Sequence, residues 1–120
     1  LHAFLVSNTT EESYYPKLAA LLFETGKELS EKTGLAFSFV NLSGGIGIPY
    51  RPEQQKADIM RIGAAVKAEY IRILGENSKV GIKTELGRFL TDVGDVLIIQ
   101  ILQLLIELSE RCADFHLHLT

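Results

Sequence analysis

Residues 35–50 read LAFSFVNLSGGIGIPY, and this stretch decides the class of fold. Its first half, 35–42, is aromatic-rich and mostly apolar, which predicts a buried central strand because aromatic and branched side chains suit a pleated surface. Its second half, 43–49, is a loop that contains Gly44, Gly45 and Gly47. Parallel α/β folds gather their chemistry where strands end, so we expect a ligand site at this loop.

Strand-like and helix-like segments alternate on both sides of this stretch. Residues 2–7 and 79–85 have the short apolar pattern of strands, whereas residues 18–29 and 59–73 repeat apolar side chains at steps of three and four. Strands separated by helices predict an α/β fold with parallel strands joined by right-handed crossovers.

The ends of the two predicted helices carry recognisable signals. Thr9 and Glu12 have the spacing of a capping box, and Pro52 suits the first turn of the second helix. Gly34 and Gly75 stand where a left-handed residue commonly ends a helix. We therefore expect one helix to begin after Thr9, the other near Pro52, and each to end at its glycine.

Composition excludes several classes of protein. The 120 residues, 47% of them hydrophobic and 22% charged, fit one globular domain. The net charge of −3 provides no basic surface for nucleic acid. The single cysteine cannot form an internal disulfide, and no basic segment precedes an apolar one at the start, so we expect a cytoplasmic location without a signal peptide.

Residues 92–120 differ in composition from the rest of the chain. They carry 1 basic and 5 acidic residues, against 11 and 10 in residues 1–91. The apolar run 96–106 is shorter than the roughly 18–20 residues of a membrane-spanning helix, and Gln100 and Gln103 interrupt it. We expect a buried or partner-covered helix without membrane contact, and we treat 92–120 as an apolar helical tail, either a divergent gene end or the product of a shifted reading frame.

Four potential metal ligands lie in this tail: Cys112, Asp114, His116 and His118. His116 and His118 would share one face of a strand, which permits joint coordination. A tetrahedral site also needs supporting partners, and the sequence offers none elsewhere, so we assign no metal site.

The three predicted strands end in polar or glycine residues: Ser7-Asn8, Ser43-Gly44-Gly45 and Glu85-Leu86-Gly87-Arg88. The carboxyl ends of parallel strands meet at one edge, so these residues are predicted to surround one site. Each feature also has a structural interpretation: the glycines as a tight turn, Ser7 as a helix start, and Glu85 with Arg88 as an ion pair. The loop lacks the G-x-G-x-x-G order and the P-loop lysine, which disfavours dinucleotides and nucleoside triphosphates.

Three segments together resemble a known enzyme family. Residues 39–50 resemble the glycine-rich loop of diaminopimelate decarboxylases, and residues 84–88, TELGR, resemble their Glu-x-Gly-Arg motif. Residues 1–7, LHAFLVS, are similar to the family's earlier Gly-Leu-His-x-His-x-Gly-Ser motif. The loop and the Glu-x-Gly-Arg motif are typical of fold-type III decarboxylases that depend on pyridoxal phosphate, and the longer Gly-Ile-Gly-Ile-Pro-Tyr stretch favours the diaminopimelate branch.

The resemblance covers residues 1–91 and implies a fragment of the pyridoxal phosphate-binding barrel domain. The expected fold is a partial (β/α)₈ barrel of about three consecutive βα units with parallel strands. The implied parent enzyme is a homodimeric carboxy-lyase of lysine biosynthesis, which converts the amino acid meso-2,6-diaminopimelate to L-lysine and CO₂. Two alternatives stay open: a non-catalytic α/β module that binds a small phosphorylated ligand, and an ornithine- or arginine-type decarboxylase. An alanine-racemase-like barrel fits less well, because that group pairs the ring nitrogen with arginine.

The resemblance also implies a role for each matched residue. Ser7 would donate its hydroxyl to the phosphate of pyridoxal 5′-phosphate, and Glu85 would bind the pyridine nitrogen and keep it protonated. Arg88 would border the phosphate and reach a substrate carboxylate, which suits its two-pronged guanidinium. The remaining cofactor-binding residues by resemblance are Phe4, at the place of a ring-stacking histidine, and Ser43, Gly44, Gly45 and Gly87, around the phosphate.

The chain departs from the family pattern in three places and lacks two of its parts. Ser43 replaces the first glycine of a triplet, Leu86 replaces a proline, and Phe4 can stack on a ring but cannot hydrogen-bond. Neither the family's cofactor-bearing lysine nor its β-rich second domain is matched. We therefore assign no catalytic residue in this chain and expect it to be inactive alone.

Overall fold

The computed structural model describes residues 1–87. In chain order, its helices and strands are α1 (Tyr14–Thr33), β1 (Phe39–Asn41), α2 (Ile59–Leu74) and β2 (Gly81–Lys83). The two strands pair in parallel, with Val40 opposite Ile82. Strand, helix and parallel strand therefore follow one another as the sequence predicts, although both strands are shorter than their apolar patterns.

The segment 1–9 runs along the other edge of β1 without forming a regular strand. It makes two isolated parallel bridges, His2 with Asn41 and Thr9 with Ile46. The Asn41 amide donates to the carbonyl of Leu1 at 2.8 Å. Residues 2–7 thus run parallel to β1 at the expected position, but they do not form the expected regular strand. Its middle lacks packing, since the side chains of Phe4 and Leu5 are 63% and 68% exposed.

Helix α1 begins later than the capping-box prediction. Thr9 accepts a hydrogen bond from the Glu11 amide at 3.2 Å, which makes a local turn instead of a helix cap. Ser13 stands at the N-cap position of α1 and makes no side-chain capping bond. The predicted C-terminus is confirmed, because Gly34 is left-handed at φ 73° and its amide donates to the Ser30 carbonyl.

Helix α2 begins at Ile59, so the predicted start near Pro52 is wrong. Asp58 caps the helix by accepting from the amides of Met60 and Arg61 at 2.9 and 3.2 Å. Pro52 lies instead in a turn, where the Gln54 side chain accepts from the amide of Tyr50 at 2.8 Å. A proline fits a turn and a first helical position equally well, and the aspartate cap decided between them.

The core lies between the two helices and one face of the sheet. Phe23 of α1 and Tyr70 of α2 meet edge to face, with ring centroids 5.5 Å apart. Val40 and Ile82 cover them from the sheet, and all four side chains are buried. Burying a side chain of this size contributes about 1.5–3 kcal/mol, so these four residues help to hold the helices on the sheet together with the rest of the buried core.

Several sequence-based predictions lie outside the described residues. These are Arg88, the helical tail 92–120 and the potential ligands Cys112, Asp114, His116 and His118. Within residues 1–87, no helix is long and apolar enough to cross a membrane. The described part is a two-stranded parallel sheet with two helices, so the partial (β/α)₈ barrel stays a prediction.

Candidate functional site

The glycine-rich loop that follows β1 is held from both sides. On one side, the Glu85 amide donates to the Ser43 carbonyl at 2.8 Å, which continues the parallel pairing of β1 with β2. On the other side, the Thr9 amide donates to the Gly45 carbonyl at 2.8 Å. The amide of Gly47 returns to the Thr9 carbonyl at 2.7 Å. The ends of three parallel segments therefore meet at this loop.

Gly44 and Gly45 permit this close approach. A Cβ on Gly44 would lie 1.9 Å from the Glu85 carbonyl oxygen, and a Cβ on Gly45 would lie 2.3 Å from the Val6 carbonyl oxygen. Gly45 also has a φ of 92°, which side chains disfavour. Both contacts are with backbone atoms, so any larger residue would push the segments apart. These contacts agree with the interpretation of the glycines as a tight turn.

The amides of the same two glycines are candidate ligand donors. Among residues 1–87, neither the Gly44 N–H nor the Gly45 N–H donates to a carbonyl or a side chain. Backbone amides in protected positions nearly always have a partner, and successive free amides form concave sites for anions. The loop can therefore offer two hydrogen-bond donors to a bound phosphate.

Tyr15 supports the loop from the helix side. Its side chain is buried, and its hydroxyl donates to the Gly44 carbonyl at 2.6 Å. Burial raises the pKa of Tyr15 well above its ordinary value, and the neighbouring Tyr14 raises it further. The hydroxyl consequently stays protonated over the physiological range and keeps donating to Gly44.

Two non-glycine residues at the site have left-handed backbones. Asn8, at φ 59°, exchanges two hydrogen bonds with the backbone of Ile48, at 3.1 and 3.4 Å. Ser43, at φ 60°, is buried, and its hydroxyl has no hydrogen-bond partner in the described part of the chain. Asparagine tolerates this conformation, whereas serine does so at a cost. The strain therefore falls on the position where the resembled family has glycine.

Glu85 stands just after β2 with an exposed side chain. One of its carboxylate oxygens accepts a hydrogen bond from the Asn41 side-chain amide at 2.7 Å. The other end of that amide, Asn41 Oδ1, accepts from the Ser43 amide at 2.8 Å. The carboxylate is thus joined to the glycine-rich loop through one side chain.

The structure brings only some of the predicted site residues together. Glu85 is hydrogen-bonded to Ser43 and lies against Gly44, and Gly45 follows them in the same loop. Ser7 is exposed and lies next to Val6, whose carbonyl faces Gly45. Phe4 and Gly87 are exposed, and their place in a ligand site stays a prediction. The described residues contain no group of three or more side chains able to hold a metal ion.

Sequence reasoning missed Asn41 and Tyr15, and it placed Asn8 at the site without its pairing with Ile48. The available signal for Asn41 was a polar side chain between two apolar strand residues, Val40 and Leu42, since a polar group there needs a partner. Tyr15 offered no comparable signal, because an aromatic residue in a helix usually belongs to the core.

Comparisons with known proteins find partial similarities. No family model matches the chain. It is 24% identical over 102 residues to Protein TabA of Pseudomonas amygdali pv. tabaci, a match that covers 85% of this chain and 24% of that protein. It is 30% identical over 72 residues to diaminopimelate decarboxylase of Thermoplasma acidophilum, covering 60% of this chain and 18% of the enzyme.

A third relative is diaminopimelate decarboxylase of Methanothermobacter thermautotrophicus, 32% identical over 59 residues, or 49% of this chain and 14% of the enzyme. The chain spans about a quarter or less of the length of these curated relatives. Over part of its length, the chain is therefore similar to diaminopimelate decarboxylases.

Proposed function

We propose that residues 1–87 belong to the cofactor-binding part of a pyridoxal phosphate-dependent amino-acid decarboxylase. One observation carries the proposal: two glycine amides and the Glu85 carboxylate lie at the same ends of neighbouring parallel segments. The partial similarity to two diaminopimelate decarboxylases supports it independently. The partial (β/α)₈ barrel is part of the same proposal.

The donor set of this site fits the cofactor at both of its polar ends. A phosphate needs hydrogen-bond donors, and the amides of Gly44 and Gly45 are free to donate within the described residues. A protonated pyridine nitrogen needs an acceptor, and Glu85 provides a carboxylate with one oxygen bonded to Asn41. An exposed carboxylate beside a phosphate cradle is difficult to explain for a purely anionic ligand, because like charges repel.

Pyridoxal 5′-phosphate, when bound, supplies an electron-accepting ring for the electron pair left by departing CO₂. Glu85 holds the proton on the ring nitrogen, which keeps the ring electron-poor. The backbone amides of the loop hold the phosphate, and Tyr15 fixes the loop by its hydrogen bond to the Gly44 carbonyl. Ser7, at the adjacent segment end, adds a hydroxyl donor.

The reaction of the whole protein is a finer part of the proposal. By similarity to the diaminopimelate decarboxylases, the substrate is meso-2,6-diaminopimelate and the products are L-lysine and CO₂. Arg88 binds a substrate carboxylate in this proposal, and a homodimer forms the complete enzyme. Because no lysine of this chain matches the cofactor-bearing lysine, the 120-residue chain with added pyridoxal 5′-phosphate is expected to release no CO₂ from diaminopimelate.

Titration of the full chain with pyridoxal 5′-phosphate, followed by the cofactor's absorbance and by calorimetry, tests the proposal. Glu85→Gln removes the charged acceptor and should weaken binding about tenfold, since a hydrogen bond to a charged group contributes about 1.5–3 kcal/mol. Ser7→Ala should weaken binding a few-fold. Glu31→Gln, which neutralises an exposed glutamate on α1, is the matched control and should bind like the unmodified chain.

Inorganic phosphate in the same titration separates a pyridoxal phosphate-dependent decarboxylase from a module that binds phosphate alone. If phosphate competes fully and Glu85→Gln leaves the affinity for pyridoxal 5′-phosphate unchanged, the chain is a phosphate-binding module and the decarboxylase proposal is wrong.

A further inference from the structure

Asn41 is hydrogen-bonded at the candidate site through both its backbone and its side chain. Its backbone amide donates to the Leu1 carbonyl at 2.8 Å, and its carbonyl accepts from the Ala3 amide at 3.4 Å. Its side chain accepts from the Ser43 amide at 2.8 Å and donates to Glu85 at 2.7 Å. Both the backbone and the side chain of Asn41 are therefore held in one geometry.

The orientation of the Asn41 amide follows from its two partners. The Ser43 N–H is a donor, so it must face the oxygen of the side-chain amide. The ionised Glu85 carboxylate only accepts, so it must face the NH₂ group. An amide is suited to this place because one end accepts while the other donates.

Asn41 is also the group that orients the carboxylate within residues 1–87. Lys83 is two residues before Glu85 and so projects from the same side of the segment. Its ammonium group, however, lies over the Phe39 ring, 3.9 Å from the centroid, a cation–π arrangement. The nearby cation is thus directed to an aromatic ring, and the contact to Glu85 comes from the neutral amide.

We infer that Asn41 is a positioning residue, which holds one Glu85 oxygen so that the other faces the ring nitrogen of a pyridine-type cofactor. This inference rests on the proposed function. An exposed glutamate loses rotamer freedom when it is ordered by a ligand. The hydrogen bond from Asn41 already restricts Glu85 before a ligand binds, because Asn41 is itself fixed by the sheet edge and the loop.

The first experiment tests the hydrogen bond in the full chain without any ligand. In ¹H–¹⁵N spectra, the side-chain NH₂ of Asn41 should show slow exchange and a downfield proton, and Glu85→Ala should remove both features. The side-chain NH₂ of the exposed Asn77 serves as the internal reference and should not respond. An Asn41 NH₂ signal that is unchanged in Glu85→Ala would overturn the inference.

The second experiment compares two ligands that differ only at the ring nitrogen. They are pyridoxal 5′-phosphate and its benzene analogue, in which CH replaces the nitrogen. Asn41→Ala should weaken binding of pyridoxal 5′-phosphate about five- to tenfold and change binding of the analogue less than twofold. Asn77→Ala, which truncates an asparagine in the turn after α2, is the matched control and should change neither affinity.

The double variant Asn41→Ala/Glu85→Ala completes the cycle. If Asn41 acts through Glu85, the double variant binds pyridoxal 5′-phosphate no more weakly than Glu85→Ala alone. Independent, multiplying losses would overturn the positioning role, as would equal losses for both ligands in Asn41→Ala, since those report a disturbed loop. If the unmodified chain does not distinguish the two ligands, the proposed role of Glu85 fails, and that of Asn41 fails with it.

Discussion

Ser43 shows how a single residue can carry the conformational cost of a site. A left-handed backbone costs a residue with a Cβ about 1–2 kcal/mol, and an unsatisfied buried hydroxyl costs about 1–3 kcal/mol more. Ser43 has both features, at φ 60° and with a buried Oγ that has no partner in the described residues. Its amide nevertheless bonds to Asn41, so the backbone of the loop is satisfied where the side chain is not.

Replacing this serine by glycine should stabilise the chain. Ser43→Gly removes the strain and the orphan hydroxyl, and the greater freedom of glycine in the unfolded chain offsets about 0.5–1 kcal/mol of the gain. We expect the free energy of unfolding in urea to rise by about 1 kcal/mol. Ser43→Ala keeps the Cβ and is the control, with a smaller gain. A Ser43→Gly chain less stable than Ser43→Ala would contradict this account of the strain.

The raised pKa of Tyr15 predicts that the stability of the folded chain depends on pH. Its pKa is raised in the folded chain, mainly by burial, from the ordinary value of 10.0. Below pH 10 both states keep the proton and no stability is lost. Above pH 10 the unfolded chain releases the proton while the folded chain retains it, so stability falls as the pH rises.

Unfolding in urea at pH 9 and pH 11 measures this effect. Relative to Tyr15→Phe, the unmodified chain should lose about 1 kcal/mol more between the two pH values. Tyr50→Phe, which removes an exposed hydroxyl, should keep the slope of the unmodified chain. Equal losses in Tyr15→Phe and the unmodified chain would show that this hydroxyl does not stay protonated.

At the scale of elements, the N-terminus of α2 depends on one side chain. Asp58 accepts hydrogen bonds from the amides of Met60 and Arg61, which have no partners within the helix. The same residue's own amide donates to Glu12 at 3.0 Å, which ties the start of α2 to the segment before α1. The Asp58 side chain therefore caps α2, and the Asp58 backbone amide ties the start of the helix to the segment before α1.

Removing that cap should destabilise the chain without changing its fold. Asp58→Ala is expected to lower the free energy of unfolding by about 1 kcal/mol, the usual cost of losing an aspartate cap. The backbone bond to Glu12 is retained in this variant. Glu53→Ala, at an exposed position in the preceding turn, should have a negligible effect on the urea midpoint. An unchanged midpoint in Asp58→Ala would mean that the cap does not limit α2.

For the molecule as a whole, the uncovered surfaces decide whether chains associate with one another. The described sheet has two strands, so within residues 1–87 the outer edge of β2 has no neighbouring strand. Several large apolar side chains are also exposed in this part of the chain: Phe4, Leu5, Leu21, Leu35 and Tyr50. Open strand edges and exposed apolar side chains both favour association between chains.

We therefore expect the purified 120-residue chain to be marginally stable and to self-associate. Light scattering over a concentration series should show a mass that rises above that of the monomer. Deleting residues 92–120 should worsen aggregation if the tail covers the sheet, and should improve solubility if the tail is the product of a shifted reading frame. A monodisperse monomer with a cooperative melting transition would contradict the expectation.

The sequence by itself determined the order of elements, the helix end at Gly34, the parallel direction of the strands and the position of the glycine-rich loop. These features depend on periodicity and on local conformational preference, which neighbouring residues encode. It also indicated Glu85 as a candidate site residue, because a carboxylate directly after an apolar strand needs a partner. The resemblance to diaminopimelate decarboxylases rests on the stretches 1–7, 39–50 and 84–88.

Only the tertiary structure decided which groups meet. The Asn41–Glu85 hydrogen bond joins residues 44 positions apart, and the Asn8–Ile48 pair joins residues 40 apart. The start of α2 at Ile59 also involves a long-range contact, since the Asp58 amide donates to Glu12, 46 positions away. Such contacts depend on strand register and on the packing of helices against the sheet. These contacts form only when distant segments pack together, so they cannot be read from any local stretch of residues.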